Sequence, residues 1–139
     1  MSFEHRLRVR FQDVDAARLV FFAKFFDYAH DAYEEWLHGV GQPLHEILNA
    51  GEIGTPLVRV EADFERPARH GDELLVRLRG IDIGGTSAVF VWAIHAADGG
   101  ERLAEVRMKH VCIDLEKFKS CPWPDALRTA LVAAGPVED

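Results

Sequence analysis

Residues 22–39 read FAKFFDYAHDAYEEWLHG, and this segment is the main determinant of the architecture. Its apolar residues recur at the three- and four-residue spacing that places side chains on one face of a helix. That face comprises Phe22, Phe25, Phe26, Ala29, Ala32, Tyr33, Trp36 and Leu37. Gly39 and Gly41 then end the pattern, because glycine readily adopts the conformation that terminates a helix. The segment predicts one long helix whose wide, aromatic face belongs in the protein core.

The chain on both sides of this helix alternates between apolar and polar residues, as half-buried β-strands do. Strands are predicted for residues 3–11, 58–65, 74–79, 88–94 and 103–115. Turn sequences separate the later strands, and the spacing at Asp98-Gly99-Gly100 is typical of a β-hairpin. Two short helices are also predicted, one from Pro43 to just before Gly51 and one over residues 125–134.

This order of elements predicts an α+β fold in which one long helix packs on a five-stranded antiparallel sheet. Residues 1–139 are expected to form a single domain, since the chain is too short for two comfortable cores. One helix covers only one face of the sheet. The other face or an edge then needs a cover, and a homodimer is the simple solution.

Composition excludes several classes of function. With 48% hydrophobic and 28% charged residues, the chain has the profile of a globular protein. Its net charge of −7 argues against a nucleic-acid-binding protein, which needs an excess of basic residues. No apolar run is long enough to span a membrane, and no signal-peptide core follows the first residues. Two cysteines nine residues apart, Cys112 and Cys121, favour a reducing cytoplasm over a disulfide scaffold.

Common catalytic and metal-binding motifs are absent from the sequence. It contains no serine nucleophile elbow, no phosphate-binding loop and no dinucleotide fingerprint. His45-Glu46 begins a zinc-binding pattern, but Asn49 stands where the second histidine is needed. We therefore expect neither a metal site nor a cofactor.

The segment Asp13-Val14-Asp15, between the first strand and the long helix, has three interpretations. The carboxylates can cap the helix and shape the turn, as aspartate commonly does. They can begin a metal site, although few other oxygen ligands lie nearby in the sequence. The third interpretation is a catalytic carboxylate near a helix N-terminus, where backbone N–H groups stabilise developing negative charge.

The segment from Asp13 through Phe21-Phe22 resembles the D-x-D signature that opens hot-dog-fold acyl-CoA thioesterases of the 4-hydroxybenzoyl-CoA thioesterase family. The resemblance extends over roughly residues 7–131. It is strongest to the 1,4-dihydroxy-2-naphthoyl-CoA hydrolase branch, through four further segments. These are His30-Asp-Ala-Tyr-Glu-Glu-Trp36, Thr55-Pro-Leu-Val58, Asp63-Phe64 with Pro67 and Gly71-Asp72, and His110-Val-Cys-Ile113. The resemblance implies one hot-dog domain with a long central helix wrapped by the sheet.

The resemblance also implies roles for particular residues. Asp15 corresponds to the catalytic carboxylate, which acts either as a nucleophile or as a general base toward water. The backbone N–H of Phe22 corresponds to the oxyanion hole. His30 is a candidate contact for a ring hydroxyl of the substrate, and Thr55 and Phe21 are candidates for the acyl pocket. Asp13 is expected to be structural rather than catalytic.

The resemblance further implies dimers with the active site at the interface, and we expect these to pair into a homotetramer. Coenzyme A carries phosphates, and the candidates to bind them are Arg59, Arg66, Arg69 and the backbone amides of Gly84–Thr86. Arg18 departs from the family pattern, because it occupies the position of the usual loop glycine. Since glycine there would permit a positive φ, the substitution affects the geometry of the loop; we expect the Arg18 side chain to point outward.

We therefore expect an acyl-CoA thioesterase that hydrolyses an aromatic acyl-CoA of the 1,4-dihydroxy-2-naphthoyl or 4-hydroxybenzoyl type. Coenzyme A would be part of the substrate and a product, and not a cofactor. Two alternatives stay open: a thioesterase for fatty acyl-CoA or acyl-carrier protein, and a non-catalytic hot-dog module that binds acyl-CoA. A carboxylate beside the thioester favours the enzyme, because binding alone does not need one.

Overall fold

A five-stranded antiparallel sheet wraps the long helix in the computed structural model, which describes residues 3–138. The elements are β1 (Glu4–Arg8), a 3₁₀ turn (Phe11–Asp13), α1 (Lys24–Gly39), α2 (Leu44–Ala50), β2 (Ile53–Gly54), β3 (Leu57–Phe64), β4 (Glu73–Ile83), β5 (Ser87–Ala96), β6 (Arg102–Val111), β7 (Ile113–Asp114), β8 (Lys119–Ser120) and α3 (Asp125–Ala134). The strands of the large sheet lie in the order β1-β4-β5-β6-β3, and a small second sheet has the order β2-β7-β8. The predicted α+β class and the five-stranded antiparallel sheet are confirmed.

Helix α1 packs its aromatic face onto the middle of the large sheet. The rings of Trp36 and Phe90 meet edge to face, with 5.2 Å between their centroids. Ala29 and Ala32 are completely buried, and such small side chains allow a helix to approach a sheet closely. The helix is therefore the centre of the core, as its sequence pattern predicts.

The prediction that Phe22 belongs to this buried face is wrong. Helix α1 begins at Lys24, so Phe22 lies in the turn before it, and 58% of its surface is exposed. In the sequence, Phe22 fits the spacing of the aromatic face. The side chain nevertheless lies outside, because the backbone has not yet entered the helix at that residue.

Three predicted strand boundaries also differ from the structure. The first strand ends at Arg8, and residues 11–13 form the 3₁₀ turn. The fourth strand continues to Ile83 through a bulge at Gly80, whose φ is +155°. The long strand predicted for residues 103–115 is broken at Cys112, whose N–H donates to the carbonyl of Thr86. Alternating polarity continues across each boundary, so the sequence pattern cannot locate it.

Strand β3 forms one edge of the large sheet and carries exposed apolar side chains. Val58, Val60 and Phe64 are 58%, 43% and 46% exposed. An apolar edge strand is a surface that proteins usually cover. Within residues 3–138, no helix is long and apolar enough to cross a membrane.

Candidate functional site

The segment that carries Asp15 is a tight hairpin between the 3₁₀ turn and helix α1. The N–H of Asp15 donates to the carbonyl of Leu19 at 3.0 Å, and the N–H of Arg18 donates to the carbonyl of Asp15 at 2.9 Å. Val20 N–H donates to the carbonyl of Ala68 at 2.8 Å, which fixes the hairpin to the segment between β3 and β4. Backbone hydrogen bonds therefore hold Asp15 in the hairpin and hold the hairpin against the rest of the fold.

The Asp15 carboxylate is exposed and has one protein partner among the described residues. Its Oδ1 accepts a hydrogen bond from the N–H of Ala17 at 2.8 Å, a turn-shaping contact. The residue before helix α1 is Ala23, so neither aspartate of the motif caps this helix. The helix-capping interpretation is wrong, and the Oδ2 oxygen of Asp15 is left for a reactant.

Arg18 completes the hairpin in a conformation that L-residues rarely adopt. Its φ is +68°, which is the left-handed region where glycine is favoured. The arrangement of a turn followed by a left-handed residue is common in short hairpins. The loop thus keeps the geometry that the usual glycine would permit, and the exposed Arg18 side chain points outward, as expected.

Asp13 is buried beneath this hairpin and serves the structure. Its Oδ2 accepts hydrogen bonds from the Arg10 N–H at 3.0 Å and from the Tyr28 hydroxyl at 2.9 Å. Burial acts to raise the pKa of Asp13, but these two donors and the Arg10 guanidinium outweigh it and lower that pKa. A buried, ionised Asp13 with three donors has no free acceptor directed to a substrate, so the predicted structural role is confirmed.

The start of helix α1 lies beside the hairpin, because the N–H of Phe21 donates to the carbonyl of Asp13 at 3.0 Å. Within residues 3–138, the N–H of Phe22 has no hydrogen-bond acceptor. An unpaired N–H at a helix N-terminus can stabilise an oxyanion. The segment therefore holds an available carboxylate oxygen and an available N–H donor on the same short loop.

Apolar rings surround this loop on its outer side. The rings of Phe21 and Phe22 are 4.8 Å apart between centroids, and the Phe22 ring lies 6.2 Å from that of Phe64. Phe21 is 47% exposed. Phe21 and Phe22 thus form an exposed apolar surface next to the Asp15 hairpin, which is compatible with an acyl chain or with a second protein surface.

His30 and Thr55 meet in a second cluster, further along helix α1. They are joined by Tyr33 and His110, for which the sequence predicts no functional role. The Tyr33 hydroxyl donates to Thr55 Oγ1 at 2.8 Å, and His110 Nδ1 lies 3.0 Å from the carbonyl oxygen of Thr55. The Tyr33 and His110 rings stack at 3.9 Å, and the His30 ring lies 5.6 Å from that of Tyr33.

Burial governs the chemistry of this second cluster. It lowers the pKa of His110 to about 4 and raises that of Tyr33 to about 12. Both side chains are therefore neutral near pH 7. A signal for His110 does exist in the sequence, because it follows Val106 and Met108 on the inward-facing positions of β6. A histidine in a buried register is a polar group that requires a partner.

Arg59 belongs to neither cluster. It lies on the edge strand β3 with an exposed side chain, and its Nε is 2.9 Å from a carboxylate oxygen of Glu61. Among residues 3–138, no three histidine, cysteine or acidic side chains converge in a way that would hold a metal ion.

Comparison with known proteins gives a consistent set of similarities. Residues 9–131 match the model of the thioesterase-like superfamily. The chain is 34% identical to the 1,4-dihydroxy-2-naphthoyl-CoA hydrolase of Synechocystis sp. over 130 residues, which is 94% of each chain. It is also 34% identical to the enzyme of that name from Nostoc punctiforme, over 91% of this chain and 84% of the relative.

Solved structures agree with these sequence similarities. A crystal structure of a 1,4-dihydroxy-2-naphthoyl-CoA thioesterase from Synechocystis superposes with a TM-score of 0.89 at 34% identity, covering 95% of this chain and 96% of that one. A gentisyl-coenzyme A thioesterase superposes with a TM-score of 0.83 at 26% identity, covering 93% and 99%.

Proposed function

The chain belongs to the thioesterase-like superfamily, with the hot-dog fold, and on that premise we propose that it hydrolyses the thioester of an aromatic acyl-CoA. The observation that carries this proposal is the pair of available groups on one loop, the Asp15 carboxylate oxygen and the Phe22 N–H. The relatives named above support an aromatic acyl group, since their names specify dihydroxynaphthoyl and gentisyl thioesters.

Asp15 is the proposed catalytic carboxylate, and two routes lead to the same products. In one, a carboxylate oxygen attacks the thioester carbonyl, the C–S bond breaks, and water then hydrolyses the resulting anhydride. In the other, the carboxylate removes a proton from the water that attacks. Either route yields a carboxylic acid and the free thiol of coenzyme A. In both, negative charge develops on the carbonyl oxygen, which the Phe22 N–H would stabilise.

The acyl group would extend from this loop along helix α1. Phe21 offers an exposed apolar surface beside Asp15, and His30 and Thr55 provide polar groups further along the helix. A rigid aromatic acyl group with a distant hydroxyl suits that order of apolar and polar contacts. Arg59 remains a proposed contact for a coenzyme A phosphate, although it would first have to exchange its Glu61 partner.

A homodimer through the β3 edge is part of the proposal. Val58, Val60 and Phe64 give this edge the apolar character that a second copy would bury, and two such dimers would form a tetramer. We expect Val60→Lys to shift the mass measured by light scattering toward the monomer. A mass equal to that of the wild type would place the interface elsewhere.

Thiol release from a panel of acyl-CoA substrates tests the proposed reaction. The panel contains 1,4-dihydroxy-2-naphthoyl-, 4-hydroxybenzoyl-, benzoyl-, hexanoyl- and palmitoyl-CoA. We expect turnover of an aromatic member and a loss of about 100-fold or more in Asp15→Asn. Asp114→Asn is the matched control, because Asp114 accepts the N–H of Glu116 at 2.9 Å in the same kind of turn.

The outcomes of this assay separate the alternatives. Preferred hydrolysis of palmitoyl-CoA would favour the fatty acyl-CoA alternative. Binding without turnover, or an Asp15→Asn variant as active as the wild type, would favour a non-catalytic acyl-CoA-binding module. No metal or other cofactor is needed for either route, so we expect full activity after exhaustive dialysis against a chelator. A cytoplasmic location stays a prediction.

A further inference from the structure

His110 is a completely buried polar side chain with a defined hydrogen-bonding state. Its Nδ1 lies 3.0 Å from the carbonyl oxygen of Thr55. Because a carbonyl oxygen only accepts hydrogen bonds, Nδ1 must carry the proton of the ring. Burial lowers the pKa of His110 to about 4, so the ring is neutral near pH 7. Nε2 is therefore an acceptor with a free lone pair.

This acceptor has no donor among the described residues. Nε2 of His110 is buried and unpaired. Tyr33 covers one face of the ring at 3.9 Å, but its hydroxyl is already donated to Thr55. Phe90, whose ring is 5.3 Å away and nearly perpendicular, has no polar atom to offer. An unpaired buried acceptor is costly, and native proteins contain few of them.

His30 is the other histidine ring beside His110. The centroids of the His30 and His110 rings are 6.4 Å apart. Nitrogen atoms on facing edges of two such rings are closer to each other than the centroids. One oxygen atom that hydrogen-bonds to two nitrogens spans up to roughly 6 Å between them. The two rings make no direct hydrogen bond among the described residues, and their centroid separation leaves a distance that one oxygen atom can bridge.

We propose that His110 determines specificity for hydroxylated acyl groups, with a ring hydroxyl of the substrate bridging His30 and His110. The hydroxyl would donate its proton to His110 Nε2 and accept an N–H from His30. His30 is partly exposed and His110 is completely buried, so the hydroxyl would enter from the His30 side. This inference rests on the proposed function and adds to it a residue that determines which acyl groups are preferred.

The bridge requires a group that both donates and accepts. A hydroxyl on the acyl ring meets that requirement. An unsubstituted ring position leaves Nε2 unpaired, and a methoxy group at that position cannot donate a hydrogen bond to it. A site built to hydrogen-bond a substrate hydroxyl discriminates strongly against the analogue that lacks it, because the buried group is then left unsatisfied. His110 would thus favour hydroxylated substrates over their parent compounds.

Matched substrates test this role. The preference is the ratio of kcat/KM for a hydroxylated substrate to kcat/KM for its analogue without the free hydroxyl. In the first series, 1,4-dihydroxy-2-naphthoyl-CoA is compared with 2-naphthoyl-CoA. In the second, 4-hydroxybenzoyl-CoA is compared with benzoyl-CoA and with 4-methoxybenzoyl-CoA. We expect the wild type to prefer at least one hydroxylated member by about tenfold or more. His110→Asn keeps a donor near the Nδ1 position and removes the acceptor at Nε2. It should abolish most of the preference, because kcat/KM for the hydroxylated member falls more than kcat/KM for the parent compound.

Two further variants complete the design. His110→Gln keeps an acceptor near the Nε2 position and should retain part of the preference. His30→Phe removes the other half of the bridge at a partly exposed position, and it should lower the preference as His110→Asn does. This second variant keeps the test decisive if thermal unfolding shows that His110→Asn does not fold.

Four results would overturn the inference. His110→Asn could lower activity equally on hydroxylated and parent substrates, which would indicate a purely structural role. His110→Asn or His30→Phe could leave the preference unchanged. The wild type could hydrolyse the members of each pair equally, which would overturn the specificity role while the proposed function stands. A wild type that hydrolyses none of these thioesters would remove the proposed function, and this inference with it.

Discussion

The hydroxyl of Tyr28 donates a hydrogen bond to Oδ2 of Asp13 at 2.9 Å, which joins the first turns of helix α1 to the chain just before the Asp15 hairpin. Both side chains are buried. Asp13 also accepts the Arg10 N–H, and its own carbonyl accepts the Phe21 N–H. The buried Asp13 therefore fixes the loop at both ends, through its carboxylate on one side and its backbone carbonyl on the other, and the exposed Asp15 depends on that fixed position.

Removing the Tyr28 hydroxyl should destabilise the protein measurably. Tyr28→Phe leaves the buried Asp13 carboxylate with one donor fewer, and a hydrogen bond to a charged group contributes about 1.5–3 kcal/mol. Urea unfolding should show a loss of this size. Tyr33→Phe is the comparison, because its hydroxyl donates to the neutral Thr55 side chain and should cost only about 1 kcal/mol. Equal losses in the two variants would contradict a charge-assisted bond at Asp13.

Asp13 should also make the protein sensitive to acid. Its pKa is lower in the folded protein than in the unfolded chain, because the Arg10 and Tyr28 donors stabilise the carboxylate against the opposing effect of burial. The resulting stability is fully present above the unfolded pKa, near pH 4, and is lost as the pH falls through the lower folded pKa. Asp13→Asn, less stable at pH 7, should lose less of its remaining stability between pH 5 and pH 2. Parallel acid-unfolding curves would contradict this assignment.

The elements with a strong local pattern could be predicted from the sequence. Helix α1 has four turns of consistent spacing, so its existence and its buried face follow from Phe25, Tyr33 and Trp36. Its first residue does not follow, because Phe22 fits the same spacing while lying outside the helix. The break at Cys112 is equally hidden, since Cys112 hydrogen-bonds there to Thr86, in the turn between β4 and β5.

The candidate site likewise has one part that could be predicted from local sequence and one part that could not. Asp15 could be found because its motif is contiguous and specific. The environment of His30 could not, because its neighbour His110 and the Thr55 carbonyl that holds His110 are 55 residues apart in the chain. A sequence pattern describes which side of a strand a residue occupies, but not which side chain faces it from another element. The strand pattern can therefore mark His110 as a buried polar residue, but only the structure shows that it lies beside His30.

His110 should contribute a second and separate dependence of stability on pH. Burial lowers its pKa to about 4 in the folded protein, whereas an unfolded histidine titrates near 6.5. The unfolded chain binds more protons between these values, so the free energy of unfolding rises with pH from about 4 to 6.5 and is fully restored above that range. The rise is about 3 kcal/mol at most.

Urea unfolding at several pH values measures this effect. His110→Gln carries no titrating ring and should show a much smaller rise between pH 4 and pH 6.5 than the wild type. His38→Gln is the control, because His38 is exposed at the end of helix α1. A wild-type slope that survives in His110→Gln would assign the titration to another group.

The left-handed conformation of Arg18 should be a removable source of strain. A non-glycine residue at φ +68° costs about 1–2 kcal/mol, and glycine relieves this strain. Part of that gain is offset, because glycine has more conformational freedom to lose from the unfolded chain. Arg18→Gly should therefore raise the free energy of unfolding by about 0.5–1 kcal/mol. Arg18→Ala removes the same guanidinium but keeps a Cβ, so it should show no such gain. An equal gain in both variants would indicate an effect of charge rather than of backbone strain.

Gly80 should be the least replaceable glycine of strand β4. Its φ is +155°, and a Cβ at this position would lie 2.5 Å from the carbonyl oxygen of Pro136. The neighbouring Ile81 N–H donates to the carbonyl of Gly135 at 2.8 Å, so the C-terminal segment is held against the strand at this point. Gly80→Ala must displace backbone, and we expect a loss of at least about 1–3 kcal/mol.

Gly85→Ala is the matched control for this substitution, because a Cβ there meets no atom within 4 Å. Thermal or urea unfolding of the two variants should differ clearly, with Gly85→Ala close to the wild type. Removal of residues 136–139 provides the decisive comparison. In that shortened chain the backbone atoms of Pro136 and Val137, with which the Cβ at position 80 would clash, are absent. Gly80→Ala should therefore lower the free energy of unfolding by less than it does in the full chain. An unchanged cost would attribute the effect to the φ angle alone.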